Sequence, residues 1–199
     1  MTIEVSVDKF SGEFHLQAAF RAHGMILLRG ENGSGKTFLL KTIAGLTDGD
    51  SGTVKVNGKD VSSAPPWRRS IAYLSQNSFF RHMSVESHLA FSNPRAGADA
   101  QYVDTLCSLL SIDRKKKLIE LSQGQRMRVS IATAILSGSQ VILLDEVLSN
   151  LSDAGGVISA LSEISEERNI DFIMVFHGID SLMKSMALEI SHGKLITGP

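Results

Sequence analysis

The chain has 199 residues, 43% of them hydrophobic and 21% charged, with a formal net charge of −1. That length fits one globular domain with a full core, and a near-neutral balance supplies no basic field for nucleic acid, so none is expected as a partner. The single cysteine, Cys107, excludes an internal disulfide, and no apolar run approaches the roughly 20 residues that a membrane-crossing helix needs.

The opening MTIEVSVDKF is acidic and alternating, unlike a signal peptide, and the expected location is cytoplasmic. Ile3, Val5 and Val7 alternate with polar residues and predict a half-exposed strand, with a second over Phe14 to Phe20. Met25 to Leu28 is a continuous apolar strand, and a helix follows from about Lys36 to Ile43. Val54 to Val56 with Asn57-Gly58 reads as a strand and tight turn, and Ile71 to Leu74 as another strand. Helices are expected from Ser84 to the break at Asn93-Pro94, from Ala100 to Leu110, and from Ser122 to Ser137. The run Arg114 to Lys117 reads as a solvated face. Val141 to Leu144 is a buried strand, Gly155-Gly156 opens a helix to about Arg168, and Asp171 to Phe176 is a further buried strand. A helix over Gly178 to Met186 and a hairpin of Leu188 to Ile190 with Lys194 to Ile196 close the chain. Strands alternating with helices predict an α/β fold, residues 1–199 forming one domain. Its core is a mostly parallel sheet with helices on both faces. An N-terminal antiparallel β subdomain is added to it, and a helical subdomain over about 78–125 is inserted between core strands.

Gly30 to Thr37 reads GENGSGKT and matches G-x-x-x-x-G-K-[ST], with a strand before it and a helix after. Gly33 and Gly35 let the backbone wrap a phosphate, and the loop N–H groups form an anion nest at the helix N-terminus. Lys36 supplies a point charge to β- and γ-phosphates, and the Thr37 hydroxyl can ligate Mg²⁺. A nucleoside triphosphate is therefore the expected ligand, touching Gly30, Glu31, Asn32, Gly33, Ser34, Gly35, Lys36, Thr37 and Phe38. The strand Val141 to Leu144 ends in Asp145-Glu146. In a phosphate-loop fold Asp145 would hold the ion through water, and Glu146 would polarise the attacking water as general base.

Leu121 to Gln125, LSQGQ, precedes a helix and then the VILLDE strand. This arrangement resembles the ATP-binding-cassette family, whose signature reads LSGGQ and whose strand runs into DEP and LSALD. The resemblance covers nearly the whole chain, and it implies ATP and Mg²⁺ as cofactors. It implies a second phosphate nest at Ser122, Gly124 and Gln125 that serves the loop of another subunit, hence a homodimer or heterodimer of cassettes with ATP between them. Gln76, after the strand IAYLS, stands at the family's Q-loop glutamine, near Mg²⁺ and the attacking water. His177, after IMVF, stands at its switch histidine. The resemblance also implies an aromatic from the first strands stacked on adenine, Phe10 or Phe14, with Phe10 slightly preferred. Four positions depart from the family pattern: Gln123 within the signature, Val147 after the glutamate, Ser152 at the D-loop aspartate with Asp153 one step later, and Gly178 after the histidine.

The function this resemblance implies is that of an ATP hydrolase subunit powering transport, peripheral on the cytoplasmic face of a membrane, with transmembrane permease subunits as separate chains. The alternative is a soluble cassette ATPase in iron–sulfur cluster assembly or another non-transport process. The short interval from Gln76 to Leu121 disfavours the DNA-repair type with its long coiled coil, and one cassette disfavours the translation type. The stretch after Gln76, FFRHMSVESHLAF, resembles the segment where importers receive a helix of the membrane subunit. If this stretch is extended, adjacent phenylalanines point to opposite sides, so at least one of Phe79 and Phe80 should be exposed or cover a groove. With nothing after Pro199, no appended regulatory domain is expected.

Overall fold

The computed structural model describes residues 2–49, 52–80, 82–91, 100–149, 151–176 and 186–197. Two long N-terminal strands, β1 (Ile3–Ser11) and β2 (Phe14–Ala22), pair antiparallel across a turn at Gly12. The alternation of β1 works as its sequence predicts: Ile3, Val5 and Val7 are buried, and Ser6 and Asp8 are exposed. Lys9 continues the inward series, and its ammonium donates to Thr47 Oγ1 at 3.1 Å and Gly49 O at 3.2 Å. This fastens the loop that follows α1 (Lys36–Ala44) beneath the strand.

The strands β3 (Met25–Arg29), β6 (Ile71–Leu74), β7 (Val141–Asp145) and β8 (Asp171–Val175) form the parallel centre. Their pairings are β6 with β7, β7 with β8 and β8 with β3. Next to β3 lies β9 (Met186–Ser191), also parallel, and β10 (Lys194–Thr197) returns antiparallel against β9. On the far side β1 carries β4 (Gly52–Val56), which carries the two-residue β5 (Lys59–Asp60). The sequence predicts an added antiparallel sheet; the structure instead joins everything described into one ten-stranded sheet, ordered β5-β4-β1-β2-β10-β9-β3-β8-β7-β6. The seam is narrow: Lys194 pairs with Gln17, whose N–H donates to Gly193 O at 2.7 Å.

The core lies on both faces of this sheet. Val141 and Leu143 face α1 with Ile26, Leu28, Leu39 and Ile43. Ile142, Leu144, Phe172 and Met174 face the other helices. These are α2 (Val85–Phe91), α3 (Ala100–Leu109), α4 (Gln123–Leu136) and α5 (Ala154–Arg168). Burial on both faces explains why β7 and β8 read as unbroken apolar runs. Between β6 and β7 the chain builds α2, α3 and α4. Arg114, first of the basic run, is less free than its sequence predicts. It donates to both Glu86 oxygens on α2, at 2.7 and 2.5 Å, and to Asp104 on α3. Such near-surface pairs contribute about 1 kcal/mol or less. The buried Val103 and Leu106 contribute about 1.5–3 kcal/mol each and dominate the docking of α3. Among the described residues no helix is long and apolar enough to cross a membrane. The predicted break at Asn93-Pro94 and the helix over Gly178 to Met186 lie essentially outside the described residues.

His88 on α2 is buried, with Nδ1 2.7 Å from Thr133 Oγ1. The Thr133 hydroxyl donates to Val129 O at 2.8 Å, so Nδ1–H is the donor to Thr133 and Nε2 carries the lone pair. Nε2 has no hydrogen-bond partner among the described residues. Burial holds this imidazole below its ordinary 6.5. The unfolded chain therefore takes up a proton that the fold refuses, and stability present above the unfolded value is lost on acidification. Unfolding free energy should fall between about pH 7.5 and pH 5.5, and His88→Gln should flatten that fall. Urea titrations at both pH values measure it, and equal pH slopes in the two proteins would remove His88 as the cause.

Candidate functional site

Parallel register brings the carboxyl ends of four strands to one edge. Leu74 pairs with Leu144, Asp145 with Val175, and Val175 with Leu28. Gln76, Asp145, Glu146 and the loop after Arg29 therefore leave the sheet at nearly one level, where ligands bind in open α/β sheets.

The loop Gly30 to Gly35 turns through left-handed backbone at Gly30 (φ 145°), Gly33 (φ 80°) and Gly35 (φ 108°). Two of these glycines are also sites of close approach. A Cβ on Gly30 would lie 2.2 Å from Ile190 O, and one on Gly35 would lie 2.8 Å from the Phe14 ring. The turn thus needs glycine for conformation and for room, and it delivers the chain to α1 with the first-turn N–H groups unpaired by any side-chain cap. Lys36 is buried at the start of α1, and its ammonium donates to Gly30 O and Glu31 O, both at 2.8 Å. Ser34 Oγ is buried with no partner among the described residues.

Thr37, one residue on, donates from Oγ1 to Asp145 Oδ1 at 3.0 Å, joining α1 to the end of β7. Tyr73 on β6 donates to the other carboxylate oxygen, Oδ2, at 2.6 Å. Burial and the neighbouring Asp145 raise the Tyr73 hydroxyl well above its usual value, so it stays protonated as a donor. Tyr73 belongs to none of the sequence motifs. The signal available was parity: in IAYL, Ile71 and Tyr73 share the face of Val141, Leu143 and Asp145. Glu146 begins the segment after β7 with φ 57°, a left-handed conformation uncommon in a non-glycine residue, and its N–H donates to Val175 O at 3.2 Å.

Glu146 lines a cleft of about 440 Å³ with Ser11, Phe14, Asn32, Gly33, Lys36, Thr37 and Phe38. Phe14 meets Phe38 edge-on, centroids 6.1 Å apart, and walls this cleft. Phe10 does not line it. Its ring is 66% exposed and stacks flat on His15 at 4.1 Å, and His15 is held 2.7 Å from Asp8. Gln76 lies half-buried in the turn after β6. Ser122, Gly124 and Gln125 stand apart from the cleft at the N-terminus of α4, where Ser122 Oγ accepts from Gln125 N at 3.2 Å and Gln125 Oε1 accepts from Ser122 N at 3.0 Å. This reciprocal cap leaves Ser122 and Gln125 exposed. Asp153 caps α5 by accepting from Gly156 N at 3.1 Å and pairs with Arg128 of α4 at 3.5 Å. His177 lies outside the described residues.

A second, larger recess of about 920 Å³ opens between β6 and the helices, lined in part by Trp67, Phe80, His88, Phe91 and Thr133. Both phenylalanines line it, in a segment that turns instead of running extended, and they differ in burial. Phe79 is half-buried beneath the Arg126 guanidinium, 5.1 Å from its ring centroid. Phe80 is 55% exposed and touches Phe91 edge-on at 5.4 Å.

Against known proteins, the family model described as ABC transporter matches residues 15–149. A molybdenum import ATP-binding protein of Rhizobium etli is 32% identical over the whole of this chain and 61% of its own length. A sulfate/thiosulfate import ATP-binding protein of Mycobacterium bovis is 36% identical over 66% of this chain and 40% of its own length. The chain thus spans 61% of one of these curated relatives and 40% of the other. Among solved structures, a nucleotide-free ATP-binding cassette from an ABC transporter superposes with TM-score 0.79 at 20% identity, covering 98% of this chain and 89% of that one. A dimeric post-hydrolysis cassette bound to ADP and Pi gives TM-score 0.77 at 19% identity, covering 98% and 96%. At these identities the structural likeness speaks for the fold.

The crowding at Gly35 is directly measurable. Gly35→Ala puts a Cβ against Phe14 on a backbone that disfavours any side chain, and should cost about 1–3 kcal/mol of stability. Urea unfolding reads this, and a change below about 0.5 kcal/mol would mean that the loop relaxes freely.

Proposed function

The chain belongs to the ABC transporter family, and on that premise we propose that it binds ATP in the Phe14–Lys36–Glu146 cleft and hydrolyses it to drive transport through transmembrane subunits on other chains. One observation carries this reading: the glycine turn, Lys36, Thr37 and the paired carboxylates Asp145 and Glu146 share one edge of the sheet, with Thr37 already bonded to Asp145. Both relatives carry import in their names, which favours import as the direction.

The residues suit a magnesium nucleotide. Lys36 is sequestered on loop carbonyls and is the cation available to β- and γ-phosphate oxygens. Thr37 and Asp145 offer few but hard oxygen donors, as suits an ion that keeps its waters and its phosphate ligands. Gln76 would approach the same ion from the end of β6. Mg²⁺ bound there would neutralise developing charge on the phosphates. Glu146, held on the lip by its left-handed turn, is assigned as the general base for the attacking water, and His177 as the γ-phosphate contact. Phe14 is the aromatic we assign to the base, because it walls the cleft and Phe10 does not.

Ser122 and Gln125 are exposed at a helix N-terminus, and neither they nor Gly124 line this chain's own cleft, which supports their serving the γ-phosphate of a second cassette. The active form on this reading is a nucleotide-bridged dimer, peripheral on the cytoplasmic face of a membrane. The recess beside Phe80, Phe91 and Trp67 is then the seat of a helix from a transmembrane subunit, since its exposed aromatics are large and cluster next to the Gln76 turn.

Three outcomes test this. Glu146→Gln should bind ATP and lose about 10²–10⁴-fold in turnover. With ATP it should double in mass by light scattering, and Ser122→Arg in that background should abolish the doubling. Near-parental hydrolysis by Glu146→Gln would remove Glu146 as the base. Separately, Phe80→Ser with Phe91→Ser should abolish copurification with the transmembrane subunits while the isolated chain still hydrolyses ATP. Retained assembly and transport would rule the recess out as the docking site.

A further inference from the structure

Asp145 is gripped from two sides by elements far apart in the chain. Thr37 Oγ1 donates to Oδ1 at 3.0 Å, and Tyr73 OH donates to Oδ2 at 2.6 Å. The two donors differ in what else they serve. Thr37 sits at the motif position whose hydroxyl turns a lone pair to the metal, whereas Tyr73 has no place in the motif and its ring is packed against the core on the α1 side of the sheet. The strand register explains how it reaches. Tyr73 pairs with Leu143, two residues before Asp145, so phenol and carboxylate share a face on neighbouring strands. A diagonal neighbour at that spacing is within the span of an aromatic side chain.

A carboxylate held at one oxygen can pivot about its own axis; held at both, it presents one orientation. We propose that Tyr73 is a positioning residue for the metal-facing carboxylate: its hydroxyl locks Asp145 and so sets the affinity of the ATP-loaded site for Mg²⁺. The inference rests on the reading of this cleft as a magnesium–ATP site. Partners that orient a metal-facing ligand govern affinity without touching the ion, and losing one costs about tenfold or more. Tyr73 also lies three residues before Gln76, so the same hydrogen bond ties the metal side of the cleft to the strand that leads into the Gln76 turn.

The experiment uses the full chain and Tyr73→Phe. ATP binding is measured by calorimetry without divalent ions, and MgCl₂ is then titrated into the ATP-loaded protein. ATP affinity without Mg²⁺ should match the parent, and the Mg²⁺ concentration for half-saturation should rise about tenfold. An unchanged Mg²⁺ titration, even with a lowered melting temperature, would reduce Tyr73 to a structural role and overturn the proposal. A second measurement is independent of that variant. The chain has two tyrosines, so 3-fluorotyrosine incorporated in a Tyr102→Phe background reports on Tyr73 alone. Its ¹⁹F resonance should shift when Mg²⁺ is added after ATP has bound, and a resonance that does not respond to Mg²⁺ overturns the proposal. Failure of the parent to bind ATP at all would instead overturn the nucleotide reading, and this proposal with it.

Discussion

The parallel register of β3, β8, β7 and β6 is the constraint on which the cleft depends. Four strands paired level with one another must end level with one another. The residues that follow them then meet without any long-range search: the glycine turn after β3, Asp145 and Glu146 at the end of β7, Gln76 after β6. The register is enforced by burial on both faces. A slip of one residue in β7 would drive Asp145 toward Ile142's side and Leu144 toward Thr37, so the apolar packing and the site chemistry select the same alignment.

Strands on both sides of the β2–β10 seam contribute to that cleft directly. Phe14 at the start of β2 lies against Gly35, and Ile190 O of β9 crowds Gly30. The phosphate loop is thus shaped from outside as well as by its own glycines. The link between the two halves is short, a single residue pairing backed by Gln17 N to Gly193 O. Gly193 has φ 79°, and a Cβ there would lie 2.0 Å from His15 O, so the closing hairpin owes its approach to β2 to that one glycine.

The helical side has a different logic. Its apolar residues dock α2 to α5 on the second face of the sheet, but it leaves an aromatic recess beside Phe80 and a capped, solvent-facing helix start at Ser122. Both lie outside the chain's own cleft. Ser122 and Gln125 are exposed there and are absent from the lining of the Phe14–Lys36–Glu146 cleft. Asp153 ties α4 to α5 on this side, because its carboxylate caps α5 and pairs with Arg128 of α4.

The amino-acid sequence by itself determined most of the elements and where along the chain the candidate site residues fall. Apolar runs marked β3, β7 and β8, alternation marked β1, and GENGSGKT located the glycine turn that opens α1, because glycine spacing and the strand–turn–helix context are local properties. It also foretold an exposed ring at Phe79-Phe80, although the segment turns there instead of running extended and both rings line the recess. The tertiary structure decided what distance along the chain conceals. Tyr73 and Asp145 are far apart in sequence and meet only because β6 pairs with β7 in one register. Phe14 rather than Phe10 walls the cleft because Phe10 falls on the outward parity of β1 and finds His15 across the strand pair. The single continuous sheet, in place of two, follows from the pairing of β10 with β2, and no local pattern encodes which edges meet. Propensity and periodicity act over a few residues, and pairing acts between surfaces, so the sequence named the parts and packing chose their neighbours.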